Sequence, residues 1–186
     1  MQNNYLLLVG KGRPVPTGLE PMLVDVFGIE LERGAAYMLE RMFEKARADG
    51  VELKALSGYR TKEYQKEIFD RSVRQRTEQG LSYEQAYEIT AKNVAMPGES
   101  EHNTGLAVDI VTPQDFDVYE EFENTEQFRW LSANASDYGF ILRYPKGKTD
   151  ITGYVYEPWH YRYVGPYDAR RIDNLDVTLE EYLGAV

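Results

Sequence analysis

The sequence predicts a single α+β domain with a small, mainly antiparallel or mixed sheet and packed helices. Three observations predict it. The chain has 186 residues, enough for one domain with a real core and short for two. Helical spacing dominates its first half and strand-like runs its second, where repeated βαβ units would alternate the two throughout. Gly and Pro punctuate the chain between these segments, and no repeat or low-complexity stretch divides it. The whole of residues 1–186 is therefore read as one domain, with residues 1–30 as an extended arm packed on it.

Each element follows from local pattern. "YLLLVG" reads as a first strand, and "GKGRPVPTGLEP" as a loop or extended arm. "GAAYMLERMFEKARADG" is a helix: Met38, Met42 and Ala46 recur with Leu39 and Phe43 at helical spacing, and Gly50 stops it. "VELKALSG" alternates as a strand. "TKEYQKEIFDRSVRQRTEQG" is a helix with Thr61 as N-cap, and its charges form a solvated face. "SYEQAYEITAKNVA" is another, opened by Ser82 and Gln85 in a capping-box pattern. "GLAVDIV" is a strand, and Thr125 to about Gly139 a helix. "FILRYP" is a strand, "KGKTDITG" a turn region, and "YVYEP" and "WHYRYV" are strand-like. A short last helix begins at Thr178, where Glu181 completes a second capping box.

Composition narrows the function. The formal net charge is −10, with no long Lys/Arg run, which argues against nucleic acid or an anionic membrane surface as partner. There is no cysteine, so disulfides, thiolate catalysis and Cys-ligated zinc are excluded. No stretch approaches the roughly 20 apolar residues that cross a bilayer. "MQNNYLLLVG" lacks the basic start of a signal peptide, so any targeting or anchor segment is expected outside this sequence.

The chemistry concentrates in three stretches. In "SEHNTGLAVDI", Leu106, Val108 and Ile110 share one strand face and Ala107, Asp109 and Val111 the other, which points Asp109 away from the bulkiest apolar side chains. Asn103 and Gly105 permit a turn that can swing His102 back toward Asp109; a straight run of that length would hold them about 23 Å apart. In "YEPWHYRYVG", Pro158 rules out a regular helix, but a bend there can place Glu157 and His160 in one cleft. His102, Asp109 and His160 make three N/O ligands, the number that catalytic zinc sites take while leaving a fourth position for a water of lowered pKa. The sequence offers no further His and no Cys to close a structural four-ligand site. Glu157 can then act as general base. In "SGYR", Arg60 at a strand end can hold a substrate carboxylate or stabilise oxyanion charge.

Together, "SGYR", "SEHNTGLAVDI" and "EPWHYRYVG" resemble the VanY-type D-alanyl-D-alanine carboxypeptidases, a branch of the zinc LAS peptidases. The family patterns S-x-Y-R, S-x-H-x-x-G-x-A-x-D and E-x-W-H are met at Ser57, Tyr59 and Arg60; at Ser100, His102, Gly105, Ala107 and Asp109; and at Glu157, Trp159 and His160. The likeness runs through "LLLVGKGRPVP", "FENTEQFRWL", "YGFILRYPKGK", "DITGY" and "TLEEYL", nearly the whole chain, although Gly10 and Gly12 stand where bulkier residues are expected. The resemblance implies the Hedgehog/DD-peptidase fold and one Zn2+ ion held by His102, Asp109 and His160. It implies Glu157 as catalytic base, Arg60 on the substrate or developing oxyanion, and Ser100 touching the substrate's C-terminal end. The implied partner is a peptidoglycan stem peptide or precursor ending in D-alanine, cut at a D,D- or L,D-bond. That substrate implies a cell-wall or extracytoplasmic site of action, with a cytoplasmic one left open.

Other readings stand beside this one. Asp109 can merely cap a turn or pair with Arg162, Arg60 can be a structural salt-bridge partner, and Ser100 can be a hydroxyl that satisfies loop amides. At the level of function, the alternatives are a zinc-stabilised module that only binds cell-wall peptide, and a peptidoglycan endopeptidase of the same fold.

Overall fold

The computed structural model describes residues 5–186. After an irregular segment, Leu23–Val26 (β1) and Ile29–Glu32 (β2) pair as an antiparallel hairpin. The arm expected over residues 1–30 thus ends at this hairpin, whose two-residue tip, Phe27 and Gly28, has φ of 54° and 79°. "YLLLVG" is not a strand. The backbone carbonyls of Tyr5 and Leu7 accept from the Arg162 guanidinium, so this segment is tied down by a side chain.

Arg33–Ala48 (α1) follows, burying Ala35, Leu39, Met42, Phe43 and Ala46, the face that its spacing predicts. Lys54–Ser57 (β3) leads into Lys62–Glu78 (α2), N-capped by Thr61, and Tyr83–Asn93 (α3), where both halves of the Ser82–Gln85 capping box are made. A 3-10 turn at Glu101–Thr104 precedes Ala107–Val111 (β4). The helix expected from Thr125 to Gly139 is Glu126–Asn134 (α4), continued as a tighter 3-10 turn to Tyr138. Then come Phe140–Leu142 (β5), the four-residue Thr149–Thr152 (α5), His160–Tyr163 (β6), Pro166–Leu175 (α6) and Leu179–Tyr182 (α7) with its Thr178–Glu181 capping box.

"YVYEP" is not a strand either: Val155 and Glu157 bond singly to the carbonyls of Lys92 and Tyr144, and Pro158 has no amide to extend a ladder. Helix α6 was not foreseen. Pro166 in its first turn after Gly165, acidic Asp168, and Ala169 and Ile172 on one face are the signals that mark it.

The main sheet is antiparallel, in the order β3-β4-β6-β5. One face carries Val108, Ile110, Tyr161 and Tyr163 into a core shared with α1, Phe122, Leu131 and Phe140. The other face carries Asp109, His160 and Arg162, all buried. Register places Asp109 between Ser57 on β3 and His160 on β6, so the two central strands present a carboxylate and an imidazole side by side.

Gly105 closes the turn before β4 with φ +71°, and a Cβ there would lie 2.9 Å from the Glu32 backbone nitrogen and from Leu23 Cδ2. Gly105→Ala is therefore expected to destabilise the fold by about 2 kcal/mol or more, read as a lower midpoint in chemical denaturation.

Candidate metal centre and active-site cleft

The turn that carries His102 is built locally. Ser100 Oγ accepts from the His102 amide, the Asn103 amide bonds to the Ser100 carbonyl, and the left-handed Gly105 ends the turn. The "SGYR" loop is stitched to it: the Arg60 amide donates to the His102 carbonyl at 3.1 Å, and Asn103 Nδ2 to the Arg60 carbonyl at 2.7 Å. Gly58 allows the loop to pack against β2, since a Cβ there would stand 2.4 Å from the Glu30 carbonyl oxygen. The Gly58 carbonyl accepts from His102 Nδ1 at 2.7 Å, which leaves Nε2 with its lone pair.

That lone pair faces Asp109. His102 Nε2 and His160 Nδ1 each lie 3.4 Å from Asp109 Oδ1. Two tetrahedral ligands, each about 2 Å from a zinc ion, lie about 3.3 Å apart. The three donor atoms fall within 4.8 Å of one another, and all three residues are buried. Asp109 Oδ1 is buried with no hydrogen-bond partner, while Oδ2 accepts from Arg60 Nη2 at 2.6 Å. An orphaned carboxylate oxygen between two imidazole nitrogens fits a cation.

The electrostatics agree. Burial alone would raise the Asp109 carboxyl, but His102 and Arg60 hold it well below the usual range. Burial and the Arg60 charge keep His102 low. Burial opposes charge on His160, yet the neighbouring Asp109 and Glu101 carboxylates outweigh it and push that imidazole up to about 9. The Asp109 and Glu101 carboxylates on either side of His160 favour a cation at this point, where a metal would take the place of a proton. Glu157 lies with its Oε2 3.6 Å from His160 Nδ1, and burial, reinforced by Asp109 and Glu101, pushes its carboxyl up to about 8.

A cleft of about 200 Å3 opens over these groups, lined among others by Arg60, Ser100, Trp159, Tyr144 and Tyr154. Arg60 bonds Ser57 Oγ and Asp109, so the salt-bridge reading of this residue holds, and it also lines the cleft. Asp109 does not pair with Arg162; that guanidinium goes instead to Glu101. Ser100 Oγ caps the turn at the cleft wall. Sequence reasoning missed Glu101 and Arg143, buried charges behind His160, and Tyr144, whose ring packs 4.8 Å from the His160 ring.

A family profile described as VanY, D-alanyl-D-alanine carboxypeptidase, matches residues 28–166. The chain belongs to the VanY family of D-alanyl-D-alanine carboxypeptidases. A relative from Enterococcus faecalis named D-alanyl-D-alanine carboxypeptidase is 42% identical to this VanY-family chain over 96% of its length, and the chain spans 65% of that protein. A solved VanY mutant from a VanB-type vancomycin resistance cassette, in complex with Zn(II), superposes with a TM-score of 0.87 at 41% identity, covering 96% of this chain and 98% of that one. The LdcB LD-carboxypeptidase superposes with a TM-score of 0.84 at 43% identity, covering 100% and 89%. The expected peptidase fold, with its small antiparallel sheet and packed helices, is the fold observed. No helix among the described residues is long and apolar enough to cross a membrane.

Proposed function

We propose that this VanY-family domain is a zinc-dependent carboxypeptidase that removes C-terminal D-alanine from peptidoglycan stem peptides or their precursors. The observation that carries the reading is the convergence of His102 Nε2, Asp109 Oδ1 and His160 Nδ1 beside the buried Glu157 carboxyl at the floor of a cleft. His102, Asp109 and His160 would hold one zinc ion, which supplies a Lewis acid and a water acidified to near neutrality.

The remaining steps belong to the protein. Glu157 takes a proton from the attacking water and returns it to the leaving amine, so that water is consumed and free D-alanine released. Arg60, held by Ser57 and Asp109, presents its guanidinium edge to the cleft for the substrate carboxylate or the developing oxyanion. Ser100 borders the substrate's C-terminal end. Trp159, Tyr144 and Tyr154 wall the cleft and limit water. Residues 1–186 act as one domain, a reading supported by the Arg162 bonds to the arm at Tyr5 and Leu7. With a wall peptide as substrate, the enzyme works at the cell wall or outside the cytoplasm.

Relatives of both D,D- and L,D-type match this chain at similar identity, so the bond is decided by assay. Incubation of the zinc-loaded protein with pentapeptide and tetrapeptide stems, followed by mass spectrometry, is expected to show loss of one terminal D-alanine. Cleavage inside the stem would make it an endopeptidase. No loss from either peptide would favour a binding module.

A further inference from the structure

Glu101 is 1% exposed and takes part in three ion pairs, yet the mechanism above gives it no task. Its Oε1 accepts from Arg143 Nε at 2.8 Å and from Arg162 Nη1 at 2.5 Å. Neither arginine is free to turn away. Arg143 spends Nη1 and Nη2 on Glu180 in α7, at 2.9 and 2.6 Å. Arg162 spends Nη2 on the carbonyls of Tyr5 and Leu7, and Nε on that of Tyr163. With Oε1 pinned by two cations, Oε2 is left 3.4 Å from His160 Nε2. A carboxylate only accepts, so it selects the ring form that carries its proton on Nε2. The lone pair then sits on Nδ1, the nitrogen that faces Asp109 Oδ1.

We propose that Glu101 is a positioning residue of the metal centre: anchored by Arg143 and Arg162, it holds His160 in the Nε2–H tautomer with the Nδ1 lone pair aimed at the ion. The inference rests on the metal-centre reading above. It also links both ends of the chain to the ligand, through Tyr5 and Leu7 on one side and α7 on the other.

Glu101→Gln tests it. Glutamine offers one carbonyl oxygen where two carboxylate oxygens are used. The two arginines, having only donors, claim that oxygen, and the amide NH2 then faces His160 Nε2 and forces the proton onto Nδ1. Zinc affinity, measured by competition with a chromogenic chelator, is expected to fall about 10- to 100-fold. In parallel, 15N shifts of the His160 ring, recorded without metal at a pH where the ring is neutral, are expected to change from the Nε2–H to the Nδ1–H pattern. Unchanged affinity with an unchanged tautomer overturns the proposal. Glu180→Gln is the control: it weakens the same network at Arg143 without touching His160, and is expected to lower Tm and leave zinc affinity unchanged. If it loosens zinc as much as Glu101→Gln, general slackening explains both and the proposal fails. Should Glu101→Gln not fold, Glu101→Asp is read the same way, because it keeps charge against the arginines and withdraws the carboxylate from His160. If the unmutated protein binds no zinc, the metal-centre reading fails, while the His160 tautomer still decides the role of Glu101.

Discussion

Glu157→Ala is expected to lower peptide turnover by about 10²- to 10⁴-fold while the protein keeps its zinc and its fold. The separation follows from where Glu157 sits. Its backbone amide bonds to the Tyr144 carbonyl, so its position is set by the main chain that follows β5. Its carboxyl is buried, and its one ionic neighbour within 4 Å among the described residues is His160, at 3.6 Å. Removing it strands no lysine or arginine, and His160 keeps both Asp109 and Glu101. What is lost is the proton acceptor beside the water position. Liquid chromatography of the released D-alanine measures turnover, atomic emission measures zinc, and thermal melting reports the fold. Near-normal turnover by a zinc-loaded Glu157→Ala would remove this residue from the mechanism. Glu157→Gln, closer in shape, should be as slow, because an amide cannot take the proton.

The parts of the site that were legible in the sequence are those that depend on short-range geometry. His102 and Asp109 lie in one turn-strand unit, where Gly105 has to adopt a left-handed backbone and alternation fixes which way Asp109 points. Glu157 and His160 are separated by a single proline bend. Glu101 was not legible, although it adjoins His102, because its role depends on partners at 143 and 162 that only the pairing of β5 with β6 brings together. The alternative pairing of Asp109 with Arg162 fails for a related reason. Arg162 shares a sheet face with Asp109, but register sets it opposite Ala107, two pairs further along, where Glu101 reaches it.

The same distinction holds for the fold. Helices opened by capping residues were placed to within a residue or two, because a cap is a local hydrogen bond. The segments "YLLLVG" and "YVYEP" carry strand composition without strand partners. Val9 and Tyr154 are buried and Leu6 and Leu8 pack on the core, but the backbone bonds go to an arginine side chain and to single carbonyls. Strand propensity describes a residue that fits a half-buried surface, and such a surface need not be a ladder. The β1–β2 hairpin was passed over because Phe27 is an unusual residue at positive φ, although its stacking on Phe43, with ring centroids 4.8 Å apart, offsets some of that strain.

Asp109→Asn is expected to abolish both zinc binding and the stabilisation that zinc confers. Saturating zinc at about a thousand times its Kd stabilises a native protein by about 4 kcal/mol, which for a domain of this size is a rise in Tm of roughly 8 to 16 °C. Asp109 is the one formal negative charge among the three ligands, and its Oδ1 is the atom equidistant from both imidazole nitrogens. Asparagine nearly preserves the shape and reverses the hydrogen bonding. Arg60 Nη2 donates at 2.6 Å and requires an acceptor, so the amide oxygen turns to Arg60 and the NH2 group takes the place of Oδ1. Two donor hydrogens then point at the lone pairs of His102 Nε2 and His160 Nδ1, where a cation would bind. Melting curves with and without zinc, on both proteins, measure the difference. A variant whose Tm still rises with zinc as much as the unmutated protein would place the ion elsewhere and leave Asp109 as no more than a buried partner for Arg60.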